Sequence, residues 1–313
     1  MDSTVFESAV YWQFLGVVVS VLGLSGASLL TLKRWLKTDL SSVFATYRSW
    51  LVMAPLPFLV ILCGREVTIG ATVLLSMFAF REYALATKLC PDRWITGLVG
   101  AAICIQGGFT LMQDPWLETP GWYGMFIVMP VYVIGALAIS PILRNSVDGQ
   151  LRKVSLAVFG YLYFGWMLGH FAFLANSPNA IGYLPYLTFA VAVADVAAFT
   201  SGKCFGKRKL RDKISPNKTV GGSLGSICVS MALPWLLGFA LPGFTPIEKI
   251  LTGLIVGVGG QLGDLTISYI KRDLGIKDMG RCIPGHGGLL DRIDSLIFTA
   301  PLFFHMIRWF GGV

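Results

Sequence analysis

Long apolar runs alternate with short polar ones along almost the whole chain. Ten of these runs read as helices, near 10–32, 49–63, 67–87, 95–112, 122–142, 154–174, 182–201, 223–242, 247–270 and 294–311. About 20 apolar residues cross the hydrocarbon core of a bilayer as an α-helix. The pattern therefore predicts an all-α, polytopic integral membrane protein with about ten transmembrane helices. The second run is short and carries Pro55 and Pro57, which predicts a kinked or partly spanning segment. The loops at 113–121 and 175–181 are brief and hold Pro, Trp and Asn between them, as turns at a membrane interface do.

Composition strengthens the membrane reading: the 313 residues are 55% hydrophobic and 13% charged. A formal charge of +8 could suggest nucleic acid, but the placement of the charge argues against it. With alternate loops on opposite sides, 22 of the 25 Lys and Arg fall on one side, and Arg65, Lys249 and Arg308 on the other. The positive-inside rule puts the charged loops in the cytoplasm and both chain ends outside. Asp2 and Glu7 precede the first run with no Lys or Arg, so it reads as a first span rather than a cleaved signal. These features together fit a bacterial inner membrane. The six Cys are scattered without a CxxC pair and read as small hydrophobes, with no disulfide framework or zinc site indicated.

Charge is uneven along the chain, which divides it into an N-terminal transmembrane scaffold, 1–180, and a C-terminal site-bearing region, 181–313. The stretch Gly263–Ser295 packs five Lys or Arg, five Asp and one His into 33 residues between two apolar runs. Ionisable groups at the edge of a bilayer are costly and commonly functional. Asp264 follows Gly259, Gly260 and Gly263, and Asp291 follows Gly287 and Gly288, so backbone can approach a ligand beside either carboxylate. Carboxylates in such a setting suit a hard cation holding phosphate. Gly253, Gly257 and Gly260 fit close helix packing in lipid equally well.

Asp195 lies within an otherwise apolar run, and an acid there needs a reason. A basic run from Lys203 to Lys213 follows it, and taken alone such a run is a solvated face drawn to anionic headgroups. Ser215, Lys218 and Thr219 then lead into Gly221 and Gly222 at a helix start, a plausible phosphate cradle that lacks the P-loop order. His286, between Pro284-Gly285 and Gly287-Gly288, suits phosphate contact or loop positioning better than general-base duty. His170 and His305 read as structural, and the three histidines are too dispersed for a transition-metal site.

Ser268-Tyr-Ile-Lys271-Arg272, Lys277-Asp278 and the run Pro284 to Asp294 resemble the signature of the phosphatidate cytidylyltransferase (CDP-diacylglycerol synthase) family. Asp195 to Gly206 and Ser215-Pro-Asn-Lys-Thr219 are similar to that family's second conserved region, so the resemblance covers about 180–300. It implies a membrane enzyme that joins CTP to phosphatidate, giving CDP-diacylglycerol and pyrophosphate, with Mg²⁺ as cofactor and room for a second cation. By the same resemblance Asp264 and Asp291 bind catalytic metal, and Lys271 and Asp278 join them in catalysis. Asp195, Ser215, Lys218, Thr219, Ser268, Arg272, Lys277, His286, Gly287, Gly288, Arg292 and Asp294 contact substrate. Expected partners are CTP, a lipid phosphate and the bilayer, with a homodimer left open. Two positions depart from the family pattern: Gly221 and Ile267 stand where it carries acids. The alternatives are a CTP-dependent lipid kinase, a cytidylyltransferase for another lipid phosphate, or an anion or lipid transporter using Asp195.

Overall fold

The computed structural model describes residues 8–36, 44, 47, 48, 51, 54–280 and 288–311. Among these, helices follow the apolar runs in order. They are α1 (Ala9–Leu36), α2 (Pro55–Leu62), α3 (Arg65–Ala86), α4 (Arg93–Leu111) and α5 (Tyr123–Leu143). Next come α6 (Gln150–Asn176) and α7 (Ala180–Phe205), each continuous enough to count as one element. An antiparallel hairpin of β1 (Lys209–Arg211) and β2 (Ser215–Thr219) precedes α8 (Val220–Leu236), α9 (Pro246–Asp273) and α10 (Leu290–Trp309).

Seven of these helices, α1, α3 to α7 and α9, are long and apolar enough to cross a membrane. The chain is a polytopic, all-α membrane protein. Among the described residues, β structure is confined to the hairpin and an isolated bridge between Gln113 and Pro120. Within the expected 49–63 helix, α2 spans 8 residues with Pro55 in its first turn, where proline is tolerated. Residues 49, 50, 52 and 53 of that expected helix lie outside the described residues. Large apolar side chains such as Leu24, Leu74, Val131 and Leu236 point outward at 61–73% exposure, as lipid contact requires. Phe126, Phe164, Tyr186, Phe303 and Phe304 fill the interior.

Polar clamps tie the helix ends of the N-terminal half. On one side, Asp92 caps α4 by accepting from the Ile95 amide, and its carboxylate pairs with Arg144 at 2.8 Å and Lys153 at 3.0 Å. On the opposite side, Arg65 donates to Asn176 Oδ1 and to the carbonyls of Thr110 and Leu111, where α4 runs out of partners. Burial pushes the Asp92 carboxyl up, but the hydrogen bonds from Arg144, Lys153 and Ile95 outweigh it and hold the group below its ordinary value. Stabilisation from a lowered carboxyl is complete above the unfolded value of roughly 3.9 and is lost as pH falls through the folded one. Asp92→Asn should cost about 1–2 kcal/mol, since both cationic partners are over a third exposed and the pair is discounted accordingly. Thermal unfolding in detergent micelles reads this directly, and the gap between variant and parent should close as the pH falls below the ordinary carboxyl range.

In the C-terminal half, α7 packs broadly on α8, and the last part of α9 on α10. Glycines make this possible: a Cβ at Gly253 or Gly257 would lie 2.7 Å from Met231 Cα or 3.0 Å from Ile227 Cα of α8. α9 starts at a capping box between Thr245 and Glu248 with Pro246 in the first turn. Both α6 and α9 contain π-helical turns, at Tyr161–Met167 and Ile255–Gly259. The histidines that looked isolated in sequence meet between α6 and α10, where His170 Nε2 lies 3.1 Å from His305 Nε2 among Trp166, Phe126 and Phe304.

Candidate active site

The last stretch of α9 presents one polar face. Ile267 and Ile270 are buried, and Asp264, Ser268 and Lys271, at spacings of four and seven, share one side of the helix. Seven residues of α-helix return to within about 20° of the same direction, roughly 10 Å further along. Ser268 Oγ donates to Asp264 Oδ1 at 3.1 Å, and Asp264 Oδ2 forms an ion pair with Lys218. Lys271 Nζ binds Asp291 Oδ1 of α10 at 2.6 Å. Asp291 Oδ2 accepts from the amides of Gly288 at 3.1 Å and Met279 at 3.4 Å. Because Lys271 shares a face with Asp264, Asp264 and Asp291 lie on the same side of α9.

Two more carboxylates border this face. Asp294 is buried on α10, with Oδ1 accepting from the Ser295 amide at 2.7 Å. Asp195, on α7, opens to the protein surface yet is crowded by neighbours. Asp195, Asp264 and Asp294 are near enough to act on one another electrostatically, and Lys218 acts on both Asp195 and Asp294. Arg292 completes the surroundings of Asp195. Beside Asp195 lies the buried hydroxyl of Ser295, which makes no hydrogen bond of normal geometry. Among the described residues, no three Asp, Glu, His or Cys side chains converge into a ready-made metal cage.

Lys218 arrives from the hairpin. The segment Ser215–Thr219, which leads into the expected helix start, is strand β2, because Ser215 precedes Pro216 and is biased to extended backbone. Thr219 ends the strand and N-caps α8, its hydroxyl accepting from the Gly222 amide at 3.1 Å. Ser215 pairs with Arg211 across the hairpin, and Arg272 Nε reaches back to the Ile214 carbonyl at 3.3 Å. Lys277 and Asp278 are exposed beyond the end of α9. His286 and Gly287 lie outside the described residues. Sequence reading missed one residue of this region: Glu82, on α3, accepts from the amides of Leu289 and Leu290. An acid at the polar end of an apolar helix was the available signal.

The two departures from the family pattern have local structural reasons. Ile267 is fully buried, where a carboxylate would have to be desolvated. Gly221 faces the end of α7 so closely that a Cβ would lie 2.8 Å from the Phe205 carbonyl oxygen. Gly221→Glu, which restores the expected acid, should therefore destabilise by about 1–3 kcal/mol and lower activity instead of raising it. A thermal shift paired with a turnover assay checks both signs at once.

Comparison with known proteins decides the family. A model of the cytidylyltransferase family matches residues 45–310, nearly the whole span just described. The chain belongs to the cytidylyltransferase family. It is 34% identical over 267 residues to the uncharacterized protein YnbB of Escherichia coli (strain K12), covering 84% of this chain and 86% of that one. It is 32% identical over 254 residues to phosphatidate cytidylyltransferase of Staphylococcus aureus (strain COL), covering 80% and 94%. A phosphatidate cytidylyltransferase of Synechocystis is 47% identical over 126 residues, 39% of this chain and 42% of that one. Family membership makes the chain a membrane nucleotidyltransferase whose region around Asp264, Lys218, Lys271 and Asp291 is the candidate site.

Proposed function

We propose that this cytidylyltransferase transfers the cytidylyl group of CTP to phosphatidate on the cytoplasmic side of a bacterial inner membrane. The observation that carries the reading is the pair of lysine–carboxylate contacts, Lys218 with Asp264 and Lys271 with Asp291, on one face between α7, α9 and α10. Such a face at the end of membrane spans lets acyl chains stay in hydrocarbon while the headgroup meets a soluble nucleotide. The relatives named phosphatidate cytidylyltransferase support the choice of lipid.

An oxygen of the lipid phosphate attacks the α-phosphorus of CTP. The new P–O bond forms as the bond to the β-phosphate oxygen breaks, and pyrophosphate leaves with that electron pair. A phosphomonoester is already anionic near neutral pH, so no strong general base is needed. What the protein supplies is in-line placement and charge neutralisation. Lys218, Lys271, Arg272 and Arg292 bind phosphate oxygens, the two lysines exchanging a carboxylate partner for a phosphate. The buried Ser295 Oγ beside Asp195 offers a donor to the same phosphates.

The donor set fits Mg²⁺, which is commonly held by one or two carboxylates and completed by substrate phosphates instead of a full protein cage. Asp264 and Asp291 would hold it, and Asp195 and Asp294 leave carboxylates available to a second cation. When bound, Mg²⁺ neutralises charge on the phosphates and polarises them as a Lewis acid.

Labelled CTP offered to the purified protein with a panel of lipid phosphates tests the reading. Magnesium-dependent release of pyrophosphate with formation of CDP-diacylglycerol, best with phosphatidate, is the expected result. Release of CDP with a phosphorylated lipid, or solute flux into liposomes without nucleotide turnover, would overturn it.

A further inference from the structure

Glu82 belongs to the N-terminal half, on α3 in Phe80-Arg81-Glu82-Tyr83, and is only 5% exposed. Its oxygens accept from two successive amides about two hundred residues away, Leu289 at 3.0 Å and Leu290 at 2.9 Å. These sit at the start of α10, where backbone amides have no carbonyl of their own helix to bind and a carboxylate also meets the favourable end of the helix dipole.

The chain passes Glu82 twice. Gly280, beyond the end of α9, and Gly288, just ahead of α10, both press against the Glu82 carboxylate. A Cβ at Gly280 would overlap Glu82 Oε1, and one at Gly288 would lie 2.8 Å from Oε2 and 2.7 Å from the Gly280 nitrogen. Neither strand of this crossing has room for a side chain. Asp291 grips the same crossing from its other side through the Met279 and Gly288 amides. Glu82 thus fixes residues 289 and 290 while Asp291 fixes 279 and 288, and Asp291 is the very next residue after the second amide that Glu82 holds.

We infer that Glu82 is a positioning residue: by clamping the start of α10 against the Gly280–Gly288 crossing, it keeps Asp291 on Lys271 and on the same face as Asp264. The inference rests on the reading of Asp291 as a metal and phosphate residue. A carboxylate that merely caps a buried helix would contribute stability alone. One that orients a ligand-bearing neighbour also tunes that neighbour, and loss of such outer partners commonly reduces metal affinity or activity about 10- to 100-fold.

The test uses the full-length protein in detergent micelles and compares the parent with Glu82→Gln and Gly280→Ala. Glutamine keeps one accepting oxygen and turns an NH₂ toward the second amide. The alanine leaves the carboxylate chemically intact but displaces it. Three readouts separate positioning from support: hydrogen exchange across residues 289–291, Mn²⁺ affinity by electron paramagnetic resonance, and kcat and KM for CTP. Both variants should speed exchange, weaken Mn²⁺ binding and lower kcat by about 10-fold or more, with KM for CTP nearly unchanged. Faster exchange with parental Mn²⁺ affinity and parental kcat would reduce Glu82 to a helix cap and overturn the inference, as would no change in exchange. If Glu82→Gln does not fold, Gly280→Ala carries the same comparison. A parent that turns over no CTP with phosphatidate sinks the proposed reaction, while Mn²⁺ affinity and exchange still decide the role of Glu82.

Discussion

Asp264→Asn is expected to lower CTP turnover by about 100- to 1,000-fold, the usual loss when one electrostatic contact to a developing charge is removed. Asp264 touches three parts of the candidate site together: Lys218 of the hairpin, Ser268 one turn along α9, and the field of Asp195 and Asp294. The amide keeps the shape and removes the charge, so Lys218 loses its partner and the carboxylate proposed to hold Mg²⁺ is gone. Lys218 is about a quarter exposed, so water can solvate it and the cost to folding should stay small. The effect should therefore fall on kcat with the melting temperature nearly kept, which pyrophosphate release and thermal unfolding measure side by side. A variant retaining more than about a tenth of parental turnover would remove Asp264 from the site.

Gly263→Ala is the second large effect, and it acts through packing. A Cβ at this position would overlap the Asp294 carbonyl oxygen and lie 3.0 Å from both Ser295 Cα and Phe298 Cβ. Most of these atoms are backbone, which cannot rotate away, so α9 and α10 must move apart. Overpacking of this kind costs about 1–3 kcal/mol. The displacement falls between Asp264, the next residue, and Asp294, the residue struck, and misplacement of about 1 Å at a catalytic constellation can cost about 100-fold in rate. Gly97→Ala is the control: it adds the same methyl to a helix where nothing lies within 4 Å. Equal activity in the two alanine variants would refute the notch between α9 and α10 as a requirement of the site.

Most helices were legible in sequence because their apolar runs are long enough to register against the thickness of a bilayer, and their order and approximate ends emerged from that. The second run was marked as short by Pro55 and Pro57, and Pro55 stands in the first turn of α2. The hairpin was not legible. Strands of three and five residues are too short to show a periodicity, and a Lys-rich run reads equally well as a solvated face. In the site, the alignment of Asp264, Ser268 and Lys271 follows from helical spacing, whereas the contacts of Lys218 with Asp264 and of Lys271 with Asp291 depend on how three elements pack. Glu82 was the least legible: it is a single acid in a segment read as scaffold, and its partners are backbone amides, which leave no trace in residue type. The His170–His305 pair escaped for a related reason, since 135 positions separate its members.

The π-helical turn Ile255–Gly259 of α9 gives the chain one residue of slack upstream of Asp264. A π turn amounts to one residue more than an α-helix would use over the same path. Each residue of an α-helix turns the side chains that follow by about 100°. A descendant that lost a single residue between Pro246 and Gly259 would relax into a regular helix of nearly the same length, still apolar and still able to span the bilayer. The turn would absorb that loss, so Asp264 and Lys271 would keep their direction, and the length of this segment has one residue of slack even where the face beyond it has none.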